Sequence, residues 1–240
     1  MAAVIVAPDY PTDYHWPVTV RYGSLMLTPL RPRDVADAWD VRARNAAWLS
    51  PWDATAPTPV RPVDPRARAR VMWRSAKRGR TVPWLIRWSD SSGRPAPIIG
   101  QVTVSNIVYG SAMAASVGYW IDRGYAGRSL MPAAVALASD HAMKTMGLHR
   151  IEICIRPENA ASLKVVQKLG FRYEGRRPRF IHIAGAWRDH AVFALTSEEV
   201  PQGLVARIPE AVVFPDRVST HGWVGPSAGA GAQTPPEAVL

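Results

Sequence analysis

Two segments of the chain carry residue types that could do chemistry. Between 116 and 135 the sequence SVGYWIDRGYAGRSLMPAAV passes from an extended stretch through Arg123, Gly124, Gly127 and Arg128 into a helix. The first turn of a helix presents backbone N–H groups without intrahelical acceptors, together with the positive end of the dipole, and phosphate oxygens bind there. Glycine lets the backbone come close, and arginine adds a charge-assisted contact. A tight loop that only caps its helix is the competing reading of this segment taken alone. In the second segment, RPENAASLKVVQKLGFRYEG at 156–175, a strand ends at Pro157, a helix starts near Asn159 with Ser162 three residues on, and Leu-Gly-Phe closes it. An Asn here caps the helix or hydrogen-bonds an amide-bearing ligand lying between strands.

The elements that must position these residues follow from periodicity and breakers. Strands are expected at 25–31, 82–88, 98–104, 115–121 and 150–155, with FRYEG, RFIHI and HAVFAL as closing strands. Helices are expected from Asp34 to about Trp48, over 66–79, over 128–146 up to Gly147, and over 160–169 up to Gly170. The 82–88 and 98–104 strands read as a hairpin, and 50–65 holds too many prolines for regular structure. The order implies a mixed α/β (α+β) domain with helices on the faces of a largely antiparallel sheet. An N-terminal extension (1–17), a domain (18–197) and a tail (198–240) are expected, with the last fifteen residues disordered because Pro, Gly and Ala accumulate there.

Composition narrows the function classes. With 240 residues, 48% of them hydrophobic, and ten tryptophans, the chain can bury a sizeable core. Its 29 Lys+Arg against 19 Asp+Glu, a formal charge of +10, point to an anionic partner. The single cysteine, Cys154, excludes an internal disulfide framework and a thiolate zinc cluster, and the six histidines show no metal-ligand spacing, so no metal is expected. No apolar run approaches the roughly 18 residues that span a bilayer, and a cytoplasmic location is expected.

Taken together, the strand–loop–helix at 116–135 and N-x-x-S…K-L-G-F at 159–171 resemble the GNAT family of acetyl-CoA-dependent N-acetyltransferases. The phrases LTPLRPRDVADAW, IIGQVTV, GYWID, GLHRIEI, PENAASLKVVQKLGF, EGRRPRF and WRDHAVFAL, spread over 18–197, are similar to the branch that acetylates N-termini of ribosomal proteins. The resemblance implies the GNAT fold and acetyl-CoA as co-substrate. It further implies that a loop of the form Gln/Arg-x-x-Gly-x-Gly/Ala holds the pyrophosphate; here it reads Ala126, Gly127, Arg128, Ser129, Leu130, Met131, so the signature residues differ at Ala126, Ser129 and Met131. Backbone donors survive such changes where the loop keeps its conformation, and bulky Met131 is expected to narrow the site. Val117 and Tyr119 would pair with the pantetheine amides as an added strand would, and Asn159 would bond the same arm.

Transfer to an amine needs a neutral nitrogen and a proton for the departing thiolate. An α-amino group titrates near ~7.7–8.0 and a lysine near ~10.4, so a weak or water-relayed base suffices for an N-terminus. The place where many family members carry a tyrosine acid holds Val166, and Ser162 matches the serine that the ribosomal branch uses instead; a plain helix-surface hydroxyl is the alternative. In RIEICI, Ile151, Ile153 and Ile155 share one face, leaving Glu152 and Cys154 on the other. A carboxylate there must be paired or used, which makes Glu152 the first candidate base; Asp122 is the second, and ion pairing with arginine is the competing fate of both. Cys154 reads as an inert small hydrophobe rather than an acetyl carrier, so direct transfer in a ternary complex is expected. Arg61, Arg66, Arg68, Arg70, Arg74, Lys77, Arg78 and Arg80 crowd one segment, either a solvated helix face or a patch for an acidic protein segment or ribosomal RNA. Arg176, Arg177 and Arg179 are placed at the acceptor mouth. The most favoured acceptor is a protein N-terminus such as alanine; a small amine or antibiotic, or a protein that binds coenzyme A or the ribosome with weak catalysis, are the alternatives.

Overall fold

The structure, a computed structural model, describes residues 14–58, 64–89 and 96–213. One eight-stranded sheet organises the chain, in the order β1-β2-β3-β4-β5-β6-β8-β7. Its strands are β1 (Val20–Tyr22), β2 (Leu25–Pro29), β3 (Val82–Trp88), β4 (Ile98–Val108), β5 (Ala114–Ile121), β6 (Arg150–Ile155), β7 (Arg172–Ile183) and β8 (Ala186–Thr196). Every neighbouring pair is antiparallel except β5 and β6. A parallel pair needs a crossover, and α4 (Leu130–Asp140) supplies it. The other main helices are α1 (Val35–Arg44), the short α2 (Ala46–Leu49), α3 (Pro65–Lys77), α5 (Ala160–Leu169) and the short α6 (Glu210–Val213).

The sheet buries both faces. Ile151, Ile153 and Ile155 of β6 join Val104, Val117 and the apolar residues of α4 and α5 in the main core. On the opposite face Leu30, Val41, Leu85 and Ile98 form a second cluster, with Ala38 of α1 and Met72 of α3 against it. The alternation of RIEICI is thus realised: the isoleucines are buried, and Glu152 and Cys154 look the other way.

Several elements depart from the sequence reading, each for an identifiable reason. FRYEG and RFIHI are not two strands but one, because β7 absorbs Pro178 in a bulge between Arg177 and Ile181 and stays paired to β8. The 128–146 helix begins at Leu130 and widens into a π-helical turn over His141–Thr145. It is buried all round rather than along one face, because residues beyond 198 fold back over it: Leu204 and Ile208 enter the core, and the Asp140 carboxylate accepts from the backbone N–H groups of Leu204 (2.6 Å) and Val205 (3.1 Å). The packed body therefore extends at both ends past 18–197, since Tyr14 is buried and Trp16 meets Trp73 and Trp84 edge-on. The last fifteen residues lie outside those described. Among the described residues no helix is long and apolar enough to cross a membrane.

Candidate functional site

The parallel ladder between β5 and β6 lasts for three residue pairs, Ala114–Arg150, Ala115–Ile151 and Ser116–Glu152, and then stops. Beyond it the strands splay, and the edges of 117–121 and 153–155 no longer serve each other as hydrogen-bond partners. Buried backbone groups require partners, so such a fork is a place for an amide-bearing ligand to lie as an added strand. A cavity of about 260 Å³ occupies the fork, walled by Val117, Gly118 and Tyr119 on one side and Ile153, Cys154 and Ile155 on the other.

One end of the fork runs into the glycine-containing loop. Asp122 caps its 3-10 turn (Arg123–Tyr125) by accepting from Gly124 N–H (2.9 Å), and the Arg123 N–H donates to Asn45 Oδ1 (2.9 Å). The backbone N–H groups of Arg123 and Gly124, two residues expected to bind the cofactor, are thus committed to the protein. The backbone then turns left-handed at Gly127 (φ 81°) and again at Ser129 (φ 58°), the N-cap of α4. Such turns gather successive N–H groups into an anion-binding concavity, and the first-turn amides of Leu130 and Met131 point from the helix start. Met131 does not narrow this site: its side chain is buried in the core. Cations surround the loop. Arg128 lies 5.4 Å from the Tyr125 ring centroid, and Lys168, which the sequence did not single out, places its Nζ 2.8 Å from Ser129 Oγ.

The other prong of the fork, beyond β6, leads to Asn159 and Ser162. Asn159 Oδ1 accepts from Ser162 N–H (3.1 Å), capping α5, and both residues line the cavity. Capping uses the amide oxygen and leaves the Asn159 Nδ2 donors for a ligand carbonyl. Val166, one turn on, is fully buried in the core. The Tyr119 hydroxyl lies 3.5 Å from the Ser162 carbonyl, and burial pushes that phenol above its ordinary range. Burial, with Glu152 nearby, raises the Cys154 thiol to about 11, so it stays protonated at neutral pH and is a poor nucleophile.

Neither of the two carboxylates considered as bases lines this cavity, although Glu152 accepts from the Cys154 thiol in its wall (3.4 Å). Glu152 sits at the last β5–β6 pair with its side chain 15% exposed, holding Arg177 at 2.7 Å and Arg150 at 3.3 Å. Asp122 binds Arg44 at 2.6 Å. Burial opposes its ionisation, yet the Arg44 and Gly124 hydrogen bonds prevail and hold the carboxyl below its ordinary 3.8. Of the arginines expected at the mouth, Arg176 pairs with Asp189 (2.5 Å) and Arg177 with Glu152. The arginine that does line the cavity is Arg156, stacked 5.4 Å from the Trp52 ring centroid. The structure also brings in residues that sequence reasoning missed: Trp52 and Ala54 from the proline-rich segment, Ile181 and Ile183 from β7, and His190 from β8. Among the described residues no three His, Cys, Asp or Glu side chains are grouped to hold a metal ion.

Residues 24–172 match the family described as Acetyltransferase (GNAT) domain, more than half of the chain. The [Ribosomal protein uS5]-alanine N-acetyltransferase of Escherichia coli is 32% identical over 70% of this chain and 86% of its own length. The Probable N-acetyltransferase YjcK of Bacillus subtilis is 36% identical over 44% of this chain, which spans 58% of that relative. Among solved structures, Mycobacterium smegmatis RimJ in complex with CoA-disulfide superimposes with a TM-score of 0.71 at 32% identity, covering 82% of this chain and 96% of that one. The chain belongs to the GNAT family of acetyl-CoA-dependent N-acetyltransferases, with RimJ among its relatives.

Proposed function

We propose that this protein transfers the acetyl group of acetyl-CoA directly to the α-amino group of a protein N-terminus, alanine being the first candidate and a ribosomal protein the first class of acceptor. The observation that carries the reading is the cavity in the sheet fork, which has a polar wall on the α5 side and an aromatic and aliphatic wall on the other. On the α5 side, Asn159 would hold the pantetheine arm and Ser162 would pass a proton to the departing sulfur. Val117 and Tyr119 would contribute strand-edge backbone, while the Ala126–Leu130 loop, with Gly127 at its left-handed turn, would receive the phosphates.

Direct attack fits the protonated state of Cys154 better than an acetyl-cysteine relay. An N-terminal amine suits a site without a strong carboxylate base, because roughly a tenth of α-amines are already neutral at pH 7 against well under a thousandth of lysines. Asp122 and Glu152 act in this reading as anchors for Arg44 and Arg177. The exposed arginines of α3, among them Arg66, Arg68 and Arg74, give a cationic face suited to steering toward a polyanion such as ribosomal RNA.

The test is a panel of peptides with free N-termini, blocked N-termini and internal lysines, alongside small amines, incubated with labelled acetyl-CoA and read by mass spectrometry. Label on the α-amino nitrogen of alanine-initiated peptides is the expected result. Label confined to lysine side chains or to small amines overturns the reading.

A further inference from the structure

In a direct transfer of the kind proposed above the attacking amine must shed a proton, even if only to a weak base, and the sequence offered only carboxylates that the fold uses elsewhere. The cavity lining supplies four ionisable side chains: Tyr119, Cys154, Arg156 and His190. Tyr119 and Cys154 are both held in their protonated forms by burial, and Arg156 is a permanent cation. The remaining side chain, His190, is 3% exposed and has a lone pair to offer.

We infer that His190 is the general base of this enzyme, taking the acceptor's proton on Nε2. Three features of its placement support this. First, Nδ1 lies 3.1 Å from the carbonyl oxygen of Arg188, which can only accept; Nδ1 therefore carries the hydrogen, and Nε2 is the free acceptor, with no hydrogen-bond partner among the described residues. Second, the ring is oriented by packing, since Phe180 meets it edge-on with centroids 5.9 Å apart. Third, His190 stands on the sheet face turned away from α4 and α5. Cross-strand partners share a face, so the pairing of Arg177 with His190 and of Cys154 with Val192 puts His190, Arg177, Cys154 and Glu152 together, opposite the isoleucines that pack beneath α4 and α5. Ser162 reaches the cavity from α5, on the far side. Base and acid thus flank the fork from opposite faces, as nucleophile and leaving group require.

The electrostatic setting keeps the imidazole neutral. Burial lowers its pKa from 6.5, the Arg188 carbonyl bond works against that, Arg156 adds to it, and Asp189 and Glu158 oppose it. Arg177, its cross-strand neighbour, is paired with Glu152. In the step itself the amine nitrogen forms a bond to the acetyl carbonyl carbon and its proton passes to His190 Nε2. The carbon–sulfur bond then breaks, and the thiolate takes a proton through Ser162. His190 returns its proton to solvent.

The experiment compares wild type with His190→Asn, which keeps a donor for the Arg188 carbonyl, and His190→Gln. Acetyl-CoA affinity is measured by calorimetry, and kcat as a function of pH from 5 to 8 on an accepted peptide. The expected result is unchanged donor affinity and a kcat lowered about a hundredfold or more in both variants. Wild-type kcat should fall on the acid side in two steps, the acceptor amine near ~7.7–8.0 and His190 below it, and the lower limb should be missing from the variants. A variant that binds acetyl-CoA and keeps both the wild-type kcat and its acid limb overturns the inference alone. A wild type that acetylates no amine overturns the proposed reaction and this inference with it.

Discussion

The Lys168 ammonium lies 2.8 Å from the Ser129 hydroxyl, tying the last turn of α5 to the residue that opens α4. A cation is thereby held at the loop whose amides would meet the coenzyme phosphates. Replacing it, as in Lys168→Ala, should weaken coenzyme A binding about tenfold, the loss of one charge-assisted contact. Calorimetry at two ionic strengths checks this, and the difference between wild type and variant should narrow at high salt.

Glu152 anchors Arg177 and Arg150 behind the cavity. Glu152→Gln removes the charge from a half-buried cluster and should cost about 0.5–1.5 kcal/mol of stability, read from urea unfolding. Its kcat should stay within a few-fold of wild type. A large loss of kcat with stability intact would return Glu152 to the mechanism.

His141 is buried at the start of the π-helical turn, edge-on to Trp84 at 5.2 Å, and its Nε2 has no hydrogen-bond partner among the described residues. Burial lowers its pKa from 6.5 to about 4. Between those values the unfolded chain takes up a proton that the folded chain refuses. The resulting penalty is absent above pH 6.5 and grows as pH falls toward 4, reaching about 3 kcal/mol. Asp122 and Glu174, whose carboxyls are held below 3.8 and 4.5, act lower in the acid range. Unfolding midpoints at pH 7 and pH 4.5 should therefore differ much less in His141→Phe than in wild type.

Gly100 lies where β4 and β5 pair, and a Cβ there would strike the Trp120 carbonyl oxygen and crowd Ile121 Cα at 3.1 Å. Gly100→Ala should destabilise the fold by about 1–3 kcal/mol because backbone, not a flexible side chain, must move. A thermal melt unchanged from wild type would contradict that close approach.

What the sequence disclosed were features set by local pattern. Alternation in RIEICI separates Glu152 and Cys154 from three isoleucines because one face of β6 is core. Asn159 and Gly170 mark the ends of α5 because a side-chain cap and a left-handed turn need those residues. Features set by pairing between distant strands stayed hidden. His190 joins the cavity only because β8 lies between β6 and β7, an order invisible in WRDHAVFAL. The fate of Glu152 depended on Arg177, twenty-five positions away on another strand. The burial of α4 all round needed Leu204 and Ile208, which sit among prolines and glycines that read as tail.

Because β5 and β6 touch at only three residue pairs, the sheet is in effect two panels, β1 to β5 and β6 to β7, stitched at one corner. Whatever occupies the gap becomes the missing seam between them. Cofactor binding should accordingly slow amide exchange along both facing strand edges and raise the melting temperature with cofactor concentration, so that the loaded enzyme is mechanically a different, stiffer object from the empty one.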